Sequence, residues 1–404
     1  MKNKLSQYKR IVGTKVINEI YEKAKKLSNK HIVCISSTHQ GGGVAEMLNS
    51  IVFLFNEVGI SFGWRIIHGS PDFFEVTKRI HNALQGGNMK FSEQKKKIYY
   101  ETNRRFSEFS HLNHDLVVVH DPQPLPLTDF YSRKNKKQPW IWRCHIDLSN
   151  PNRNVWNYLK EFIKKYDHFV VSTEEYKKNI PVPQTIIHPA IDPLSPKNKL
   201  LFQKTIDKYL KQSGINLRKP IIAQISRYDK WKDPEGVIKI FEKVKKQINC
   251  QLVLLGNTAP DDPEGVRIYG KILKKYGNRE DVTILVNVND NDLVVNSLQR
   301  KAAVIVQKSI KEGFGLTVSE ALYKGTPVVA SNVGGIPIQV IHGENGFLHE
   351  PNDIEGFSQS IVKILKSSHL RKEMGENGRE FIKKNFLITR LMLDWLNLFN
   401  QYLS

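Results

Sequence analysis

The sequence predicts an α/β protein made of two doubly wound domains with parallel sheets. Short apolar runs alternate with segments of helical period, and this series occurs twice, on either side of a proline-rich stretch at 188–196. A length of 404 residues suits two domains of ordinary size. We therefore expect one domain over 1–195 and another over 196–387, facing each other across a cleft.

The first series begins with a strand, a glycine-rich loop and a helix. HIVCISS at 31–37 predicts a buried strand, THQGGG a loop, and apolar residues at helical spacing then run from Val44 to Val58. Further strands are predicted at 115–121, 140–146 and 168–172. Continuous apolar strands alternating with helices indicate parallel sheets covered on both faces.

The second series contains five predicted strands, at 220–226, 251–256, 282–286, 302–307 and 327–331. LTVSEALYKG, between the last two, predicts a helix that ends at Gly325. The final segment, 388–404, predicts an apolar amphipathic helix whose polar face is not basic, so we expect it to pack on the protein and not on a membrane surface.

Composition indicates a soluble globular protein, with 40% hydrophobic and 25% charged residues and no apolar run of membrane-spanning length. The N-terminus lacks the apolar core of a secretory signal, so a cytoplasmic location is expected. Cys34, Cys144 and Cys250 have no metal-like or redox-like spacing, and we expect buried free thiols.

The net charge of +21 predicts attraction to anions such as nucleotides, nucleic acid or acidic membranes. The lysines are spread through predicted helices, however, so solvated helix faces account for most of them. The interleaving of aromatic and basic residues that is typical of nucleic-acid binders is missing.

Ligands of open α/β sheets bind beyond the carboxyl ends of the strands. Gly42 and Gly43 follow the first strand and open a helix, where their backbone N–H groups could approach an anion. The spacing is not G-x-G-x-x-G, which argues against a nicotinamide site. A tight turn without a ligand remains the alternative.

Two further loops carry charge. In SRYDKWKD, Arg227 and Lys232 could neutralise a diphosphate without a metal. In EGFGLTVSE, Glu312 and Glu320 could each accept hydrogen bonds from vicinal hydroxyls, and the amides of the turn between them could support a leaving phosphate: Gly313, Phe314, Gly315, Leu316 and Thr317. The alternative is that Glu312 caps the helix and Glu320 is a solvated helix residue.

Histidine and aspartate end two neighbouring predicted strands. His120 and Asp121 end one, and His145 and Asp147 end the next, so these side chains could bind a polyol; each histidine alone is more often structural. A metal would need a third ligand that the sequence does not supply. DND at 290–292 resembles an Asp-x-Asp metal site, but Asp292 is better interpreted as a helix N-cap.

EGFGLTVSE resembles the E-x7-E motif of the retaining nucleotide-sugar glycosyltransferases of family 4, which have the GT-B fold. SRYDKWK, GTPVVASNVGGIP and GENGFL resemble other landmarks of that family, in the expected order. HNALQG, HDPQP, WRCHIDLSNPNR and DDPEG resemble the trehalose glycosyltransferring synthases within it. The likeness extends from about residue 8 to residue 400.

The resemblance implies transfer of glucose from a nucleoside diphosphate-glucose to the anomeric hydroxyl of free glucose, with retention, giving α,α-trehalose. Glu312 would bind the donor sugar and Glu320 the ribose, while Arg227 and Lys232 hold the diphosphate. His145 would touch the donor glucose. Other implied contacts are the approach of the Gly42 and Gly43 backbone from the first domain, and acceptor contacts from His120, Asp121, Gln123 and Asp147. Asp147 is also a candidate catalytic residue, and a double displacement through it is left open.

The resemblance also implies that no cofactor is required, with Mg²⁺ at most a stimulant, and that the partners are small molecules. Nucleic acid and stable membrane insertion are not expected, and homodimerisation is left open. The final helix would cross back onto the first domain. Two departures stand out: Asp233 follows Lys232 where many relatives have glycine, and Ile338 and Gln339 follow GGIP where general members often carry glutamate.

Three alternatives of other kinds remain. A trehalose phosphorylase would use inorganic phosphate in place of the nucleotide. Another family 4 hexosyltransferase would use a different acceptor, including a lipid. A nucleotide-sugar sensor or nucleic-acid binder would show no turnover.

Overall fold

A computed structural model describes residues 4–40, 42–131, 138–257 and 263–403. The chain folds into two compact units. Unit 1 comprises Met1–Ala190 together with Ile388–Ser404, and unit 2 comprises Ile191–Leu387. Each unit contains one six-stranded sheet in which every strand pair is parallel. The expected α/β class with two parallel sheets is confirmed.

The sheet of unit 1 has the strand order β2-β1-β3-β4-β5-β6. Its strands are β1 (His31–Ser36), β2 (Ser61–Ile66), β3 (Leu116–His120), β4 (Trp140–Arg143), β5 (His168–Val171) and β6 (Gln184–Ile186). Its helices are α1 (Lys9–Lys25), α2 (Gly43–Glu57), α3 (Pro71–Leu84), α4 (Glu93–Phe109), α5 (Thr128–Tyr131), α6 (Arg153–Ile163) and, from the end of the chain, α14 (Ile388–Leu403).

The sheet of unit 2 has the strand order β12-β11-β10-β7-β8-β9. Its strands are β7 (Ile221–Ile225), β8 (Gln251–Gly256), β9 (Val282–Val286), β10 (Val304–Gln307), β11 (Val328–Ser331) and β12 (Gly346–His349). Its helices are α7 (Gln203–Gln212), α8 (Pro234–Lys245), α9 (Pro263–Tyr276), α10 (Asn291–Lys301), α11 (Leu316–Tyr323), α12 (Ile354–Lys366) and α13 (Ser368–Asn385).

The last helix, α14, completes the core of unit 1. It packs on α1 and α2, and the Phe399 ring lies 5.8 Å from that of Phe55 and 6.1 Å from that of Phe62. Trp395, only 5% exposed, stacks on Phe399 at 5.3 Å. The apolar face of α14 is therefore covered by the protein's own aromatic side chains.

Nine predicted strands are present, but β2, β6 and β12 were not predicted. All three lie at a sheet edge. An edge strand is covered by fewer neighbours, so it needs no continuous apolar run: SFGWRI of β2 contains glycine and arginine and is only partly buried. The continuous apolar run that identifies central strands is therefore weaker at these three edges, whereas the fourth edge strand, β9, has such a run and was predicted.

Of the smaller predictions, the one for the cysteines is confirmed and the one for Asp292 is wrong. The three cysteines are free and buried, as predicted. The N-cap of α10 is Asp290, at φ 51°, so the assignment of Asp292 as the cap is wrong; Asp292 lies inside the first turn. No helix in the described part of the chain combines the length and apolarity that a membrane span requires. In DDPEG, residues 261–262 lie outside the described residues.

Candidate functional site

The two charged loops of unit 2 meet at one edge of its sheet. β7 and β10 are paired neighbours, so the loops that leave their carboxyl ends begin side by side. The Ile310 N–H in the second loop donates to the Trp231 carbonyl in the first, at 2.7 Å. The sheet topology thus brings residues 227–233 against residues 308–315.

Glu312 is a buried, multiply bonded carboxylate at the centre of this edge, with 8% exposure. Its Oε2 accepts hydrogen bonds from Gln307 Nε2 and Ser309 Oγ, both at 3.0 Å, and forms an ion pair with Lys232 Nζ. It does not cap α11, because the N-cap is Gly315 and no side chain bonds there. The capping alternative for Glu312 is therefore wrong.

The first loop is held by Asp229, which sequence reasoning did not single out. This side chain is 3% exposed and accepts from the N–H groups of Trp231 at 2.9 Å and Lys232 at 3.1 Å. Gln224 on β7 donates to the Lys232 carbonyl at 2.7 Å. Arg227 is more exposed, with 45% of its side chain accessible and its guanidinium 3.8 Å from the Asp229 carboxylate.

The expected extra negative charge of Asp233 is neutralised within the chain. Its Oδ2 pairs with Lys308 Nζ, which belongs to a side chain only 4% exposed. Its Oδ1 accepts from the Gly236 N–H at 3.0 Å and so caps α8. The backbone at Asp233 is left-handed, φ 43°, a conformation that glycine adopts most easily and aspartate tolerates.

The turn before α11 is fixed by close backbone packing. Gly315 has φ 86° and supplies no side chain to the first amides of α11. A Cβ on Gly335 would lie 2.6 Å from Phe314 Cα, so the two loops touch through their backbones. Gln339, fully buried, donates to the carbonyls of Phe314 at 2.5 Å and Gly335 at 2.9 Å.

The predicted turn residues Gly313, Phe314 and Gly315 therefore lead directly into Leu316 and Thr317, the first two residues of α11. Glu320 lies inside α11 and is only 4% exposed, so it is not the solvated helix residue of the alternative interpretation. Its Oε2 accepts from Gln299 Nε2 at 3.0 Å. Both glutamates are thus buried and oriented by neighbouring side chains.

In unit 1 the two predicted histidines contact each other. His120 Nδ1 lies 2.9 Å from His145 Nε2, and their rings are nearly parallel, at 13°. Strand pairing explains the contact, because His120 is in register with Arg143 on the adjacent strand. Asp121, with φ 64°, accepts from the His145 N–H at 2.7 Å and so fixes the backbone beside the ring.

Burial keeps this histidine pair neutral. Desolvation lowers the pKa of His120 to about 3 and that of His145 well below its usual range, and the charge of Arg143 acts in the same direction on both. Desolvation raises the pKa of Asp121 to about 6. Each imidazole therefore carries one N–H and one lone pair at neutral pH, and the contact between the two rings uses one of each, which leaves one ring nitrogen per histidine for a ligand.

Arg143 is the buried cation behind this pair and was not singled out from the sequence. It is 1% exposed; one guanidinium nitrogen donates to Ser172 Oγ at 3.0 Å, whereas Nη1 has no hydrogen-bond partner among the described residues. Desolvation lowers its pKa to about 10. An arginine inside the apolar run WIWRCHI was the available signal, because such a charge is rarely buried without a role.

The other predicted residues of unit 1 lie in tight local structure. Asp147 is 2% exposed, and its Oδ1 accepts from the N–H and Oγ of Ser149, at 2.8 and 2.6 Å. The Oε1 atom of Gln123 is buried and has no partner in the described part of the chain. Gly42 is the N-cap of α2, at φ 88°, and Gly43 is its first residue; Gly41 lies outside the described residues.

Polar residues at the ends of buried strands form the support of this site. The sequence signal was present in AAVIVQKS, where Gln307, Lys308 and Ser309 end an otherwise apolar run. The partners that such residues choose depend on contacts distant in sequence, which no local pattern reveals. Over the residues that the structure describes, no group of three or more potential ligands could hold a metal ion.

Comparisons with known proteins agree over both units. A family model described as "Trehalose synthase, N-terminal domain" matches residues 34–178, and one described as "Glycosyl transferases group 1" matches residues 205–381. The trehalose synthase of Pyrococcus horikoshii is 45% identical over 408 residues, covering 99% of this chain and 96% of that protein.

Two other proteins are similar to this chain at lower sequence identity. The trehalose phosphorylase of Grifola frondosa is 28% identical, covering 99% of this chain but only 61% of that protein. The solved structure of sucrose-phosphate synthase from Thermosynechococcus elongatus superposes with a TM-score of 0.71 at 20% identity, covering 92% of this chain and 99% of that one. The latter likeness is one of fold, and the fold is GT-B.

Proposed function

Because the chain belongs to the trehalose synthase family of glycosyltransferases, we propose that it transfers glucose from a nucleoside diphosphate-glucose to the anomeric hydroxyl of free glucose, forming α,α-trehalose with retention. The observation that carries the proposal is the pairing of Lys232 with Glu312 beside the start of α11. A cation for a diphosphate and an acid for sugar hydroxyls stand there within contact distance.

Unit 2 would bind the donor. Arg227, Lys232 and the first amides of α11 are suited to neutralise the departing diphosphate, which removes the need for a metal ion. Glu312 would accept hydrogen bonds from donor-sugar hydroxyls while its Oε2 stays anchored by Gln307 and Ser309. Glu320 would bind the ribose.

Unit 1 would bind the sugars through the His120–His145 pair, Asp121 and Gln123. The physical reason for a neutral pair is the charge that develops during reaction: a sugar losing its phosphate becomes oxocarbenium-like, and an imidazolium beside it would repel that charge. A neutral His145 can instead offer a lone pair or an N–H to a hydroxyl. The orphaned Gln123 Oε1 is a further acceptor for a hydroxyl.

The acceptor oxygen would enter on the face from which the diphosphate leaves, without a glycosylated side chain. The hydrogen bonds of Asp147 support this view. Its Oδ1 is occupied by two donors of Ser149, which suits a carboxylate that shapes a turn better than a nucleophile. A trapped glycosyl-enzyme on Asp147 would contradict this part of the proposal.

The decisive assay supplies glucose with UDP-, ADP- or GDP-glucose in separate reactions and identifies the disaccharide by NMR. We expect α,α-trehalose with at least one donor. A phosphorylase, favoured by likenesses of 26–28% to longer proteins, would instead cleave trehalose with inorganic phosphate and no nucleotide. That reaction, together with no product from any of the three donors, would reject the proposal.

Arg227→Ala tests the diphosphate role. We expect kcat to fall by about 10²–10³-fold, the usual cost of removing one electrostatic donor, with the melting temperature unchanged because the side chain is 45% exposed. Arg79→Ala is the matched control, since Arg79 is an exposed arginine on α3. Near-native turnover in an Arg227→Ala/Lys232→Ala double variant would contradict the assignment.

A further inference from the structure

A chain of buried polar side chains stands behind Glu320 in unit 2. Gln299 on α10 is fully buried, and Lys324 at the end of α11 is 5% exposed. Gln299 Nε2 donates to Glu320 Oε2 at 3.0 Å, and Lys324 Nζ donates to Gln299 Oε1 at 2.6 Å. Lys324 also donates to Asn198 Oδ1 at 2.7 Å.

Chemistry fixes the direction of this chain. An ammonium group can only donate, so the oxygen of the Gln299 amide has to face Lys324. The NH₂ group then faces Glu320, whose carboxylate can only accept. A flipped amide would place two donors together at Lys324 and two acceptors together at Glu320, so this one orientation is strongly preferred.

Two further hydrogen bonds hold the backbone that carries these polar side chains in place. Thr326 Oγ1 donates to the backbone carbonyl of Gln299 at 2.5 Å, which joins the end of α10 to the turn after α11. Arg300 donates to the backbone carbonyl of Asn198 at 3.0 Å. The segment that carries Asn198 and the helix that carries Gln299 are therefore joined independently of Glu320.

Only one of the two oxygens of the Glu320 carboxylate accepts a hydrogen bond from this group of side chains. Oε2 of Glu320 accepts a hydrogen bond from Gln299, whereas Oε1 accepts none from any side chain in the described ranges. Because Gln299 restrains one oxygen, the carboxylate plane has little freedom to rotate. A ligand hydroxyl would then meet an acceptor whose position is already set, which is how a small number of contacts gains selectivity.

We propose that Gln299 and Lys324 are positioning residues that orient Glu320 and thereby set the preference of this site for ribose over deoxyribose in a nucleoside diphosphate. The inference rests on the proposed function, which assigns Glu320 to the ribose. It adds that recognition of the ribose depends on two residues that touch no substrate.

Equilibrium binding tests the proposal without requiring turnover. Titration calorimetry first identifies which of UDP, ADP and GDP binds best, and that ligand is compared with its 2′-deoxy and 3′-deoxy forms. Loss of a hydrogen bond to a charged acceptor should weaken binding of at least one deoxy form to the unaltered protein on the order of 10- to 100-fold. Gln299→Met, similar in size and unable to donate, should reduce this ratio to below about 3-fold.

The matched control is a buried glutamine at the opposite, amino end of the parallel strands. Gln251 is 4% exposed and donates to the carbonyls of Asn216 and Lys219 at the amino end of β8. Gln251→Met should retain the ribose preference, even where it lowers the melting temperature. Lys324→Met is the second variant: without the ammonium the amide can flip, so the preference should also fall.

The outcomes separate the two proposals. If none of the three nucleoside diphosphates binds, the proposed function fails and this inference fails with it. If the unaltered protein prefers ribose and both Gln299→Met and Lys324→Met retain that preference, the proposed function stands and the positioning role is wrong. Loss of preference in these two variants, with retention in Gln251→Met, supports it.

Discussion

Asp233 shows how one residue can hold a backbone position that glycine would fill more easily. Its φ of 43° lies in the left-handed region, and the aspartate offsets that cost with two contacts that glycine could not make. One is the cap on Gly236 N, and the other is the ion pair with Lys308. The Asp233 side chain therefore neutralises the charge of Lys308 at the carboxyl ends of the strands, where the diphosphate would lie.

Asp233→Asn separates these contributions. Asparagine keeps the cap and tolerates φ 43°, but it leaves the charge of Lys308 uncompensated. We expect the affinity for nucleoside diphosphates to rise several-fold, with an effect that shrinks as salt increases. Calorimetric titration at low and high ionic strength measures it. Unchanged affinity at both would show that the Lys308 charge does not reach the ligand.

The histidine pair predicts how stability depends on pH. As the pH falls below the ordinary histidine value of 6.5, an unfolded chain binds a proton at position 120 that the folded chain resists until about pH 3. Stability is therefore lost on acidification, for this residue by up to about 1.4 kcal/mol per pH unit. Asp121, whose pKa is raised to about 6, acts with the opposite sign between pH 6 and 3.8.

His120→Gln should flatten this dependence. The free energy of unfolding, measured by urea denaturation from pH 7 to pH 5, should fall less steeply in the variant than in the unaltered protein. The other charges around the pair, Arg143 on β4 and Asp121 after β3, remain in both proteins and contribute equally to the comparison. Equal slopes would show that His120 takes up protons freely in the folded state.

Most strands that were predicted from sequence are fully buried, and the three that were missed lie at sheet edges, although the partly buried edge strand β9 was also predicted. The central strands β1, β3, β4, β7, β8 and β10 have continuous apolar runs because both faces are covered. The two glutamates of the site were found because they flank a glycine turn before a helix. Gln299, Lys308 and Lys324 were not, because each meets its partner through tertiary contacts that a local pattern does not encode.

Because two glycine-rich loops of unit 2 touch through their backbones, we expect a single added methyl group at Gly335 to displace one of them. In Gly335→Ala the new Cβ would fall 2.6 Å from Phe314 Cα and 2.8 Å from the Gly313 carbonyl, both backbone atoms that cannot rotate away. We expect the turn before α11 to shift, with a fall in kcat/KM of about 10²-fold and a lower melting temperature.

Gly270→Ala is the control for that substitution. Gly270 lies in α9 with nothing within 4 Å of a new Cβ, so alanine should be neutral or stabilise the helix by up to about 1 kcal/mol. Turnover should not change. Equal activity losses in both variants would indicate that the loop contact at Gly335 has no special importance.

The molecule as a whole is two units joined twice by the chain, since residues after Leu387 return to unit 1. Trp395→Ala should therefore destabilise the unit formed by the first half of the sequence, by about 3–5 kcal/mol. Hydrogen exchange followed by mass spectrometry should show faster exchange in β1 and β2. Phe202→Ala, at a side chain 83% exposed, should change nothing; faster exchange confined to unit 2 would contradict the prediction.

The position of α14 also bears on how the protein is made. Phe55 and Phe62 leave the ribosome early, but the aromatic ring that contacts both, Phe399, and the Trp395 ring stacked on it are translated more than three hundred residues later. The later half of the polypeptide can therefore reach its native state first, while the earlier half waits with an uncovered apolar surface. A nascent chain stalled before codon 388 should consequently depend on chaperones far more than the finished one.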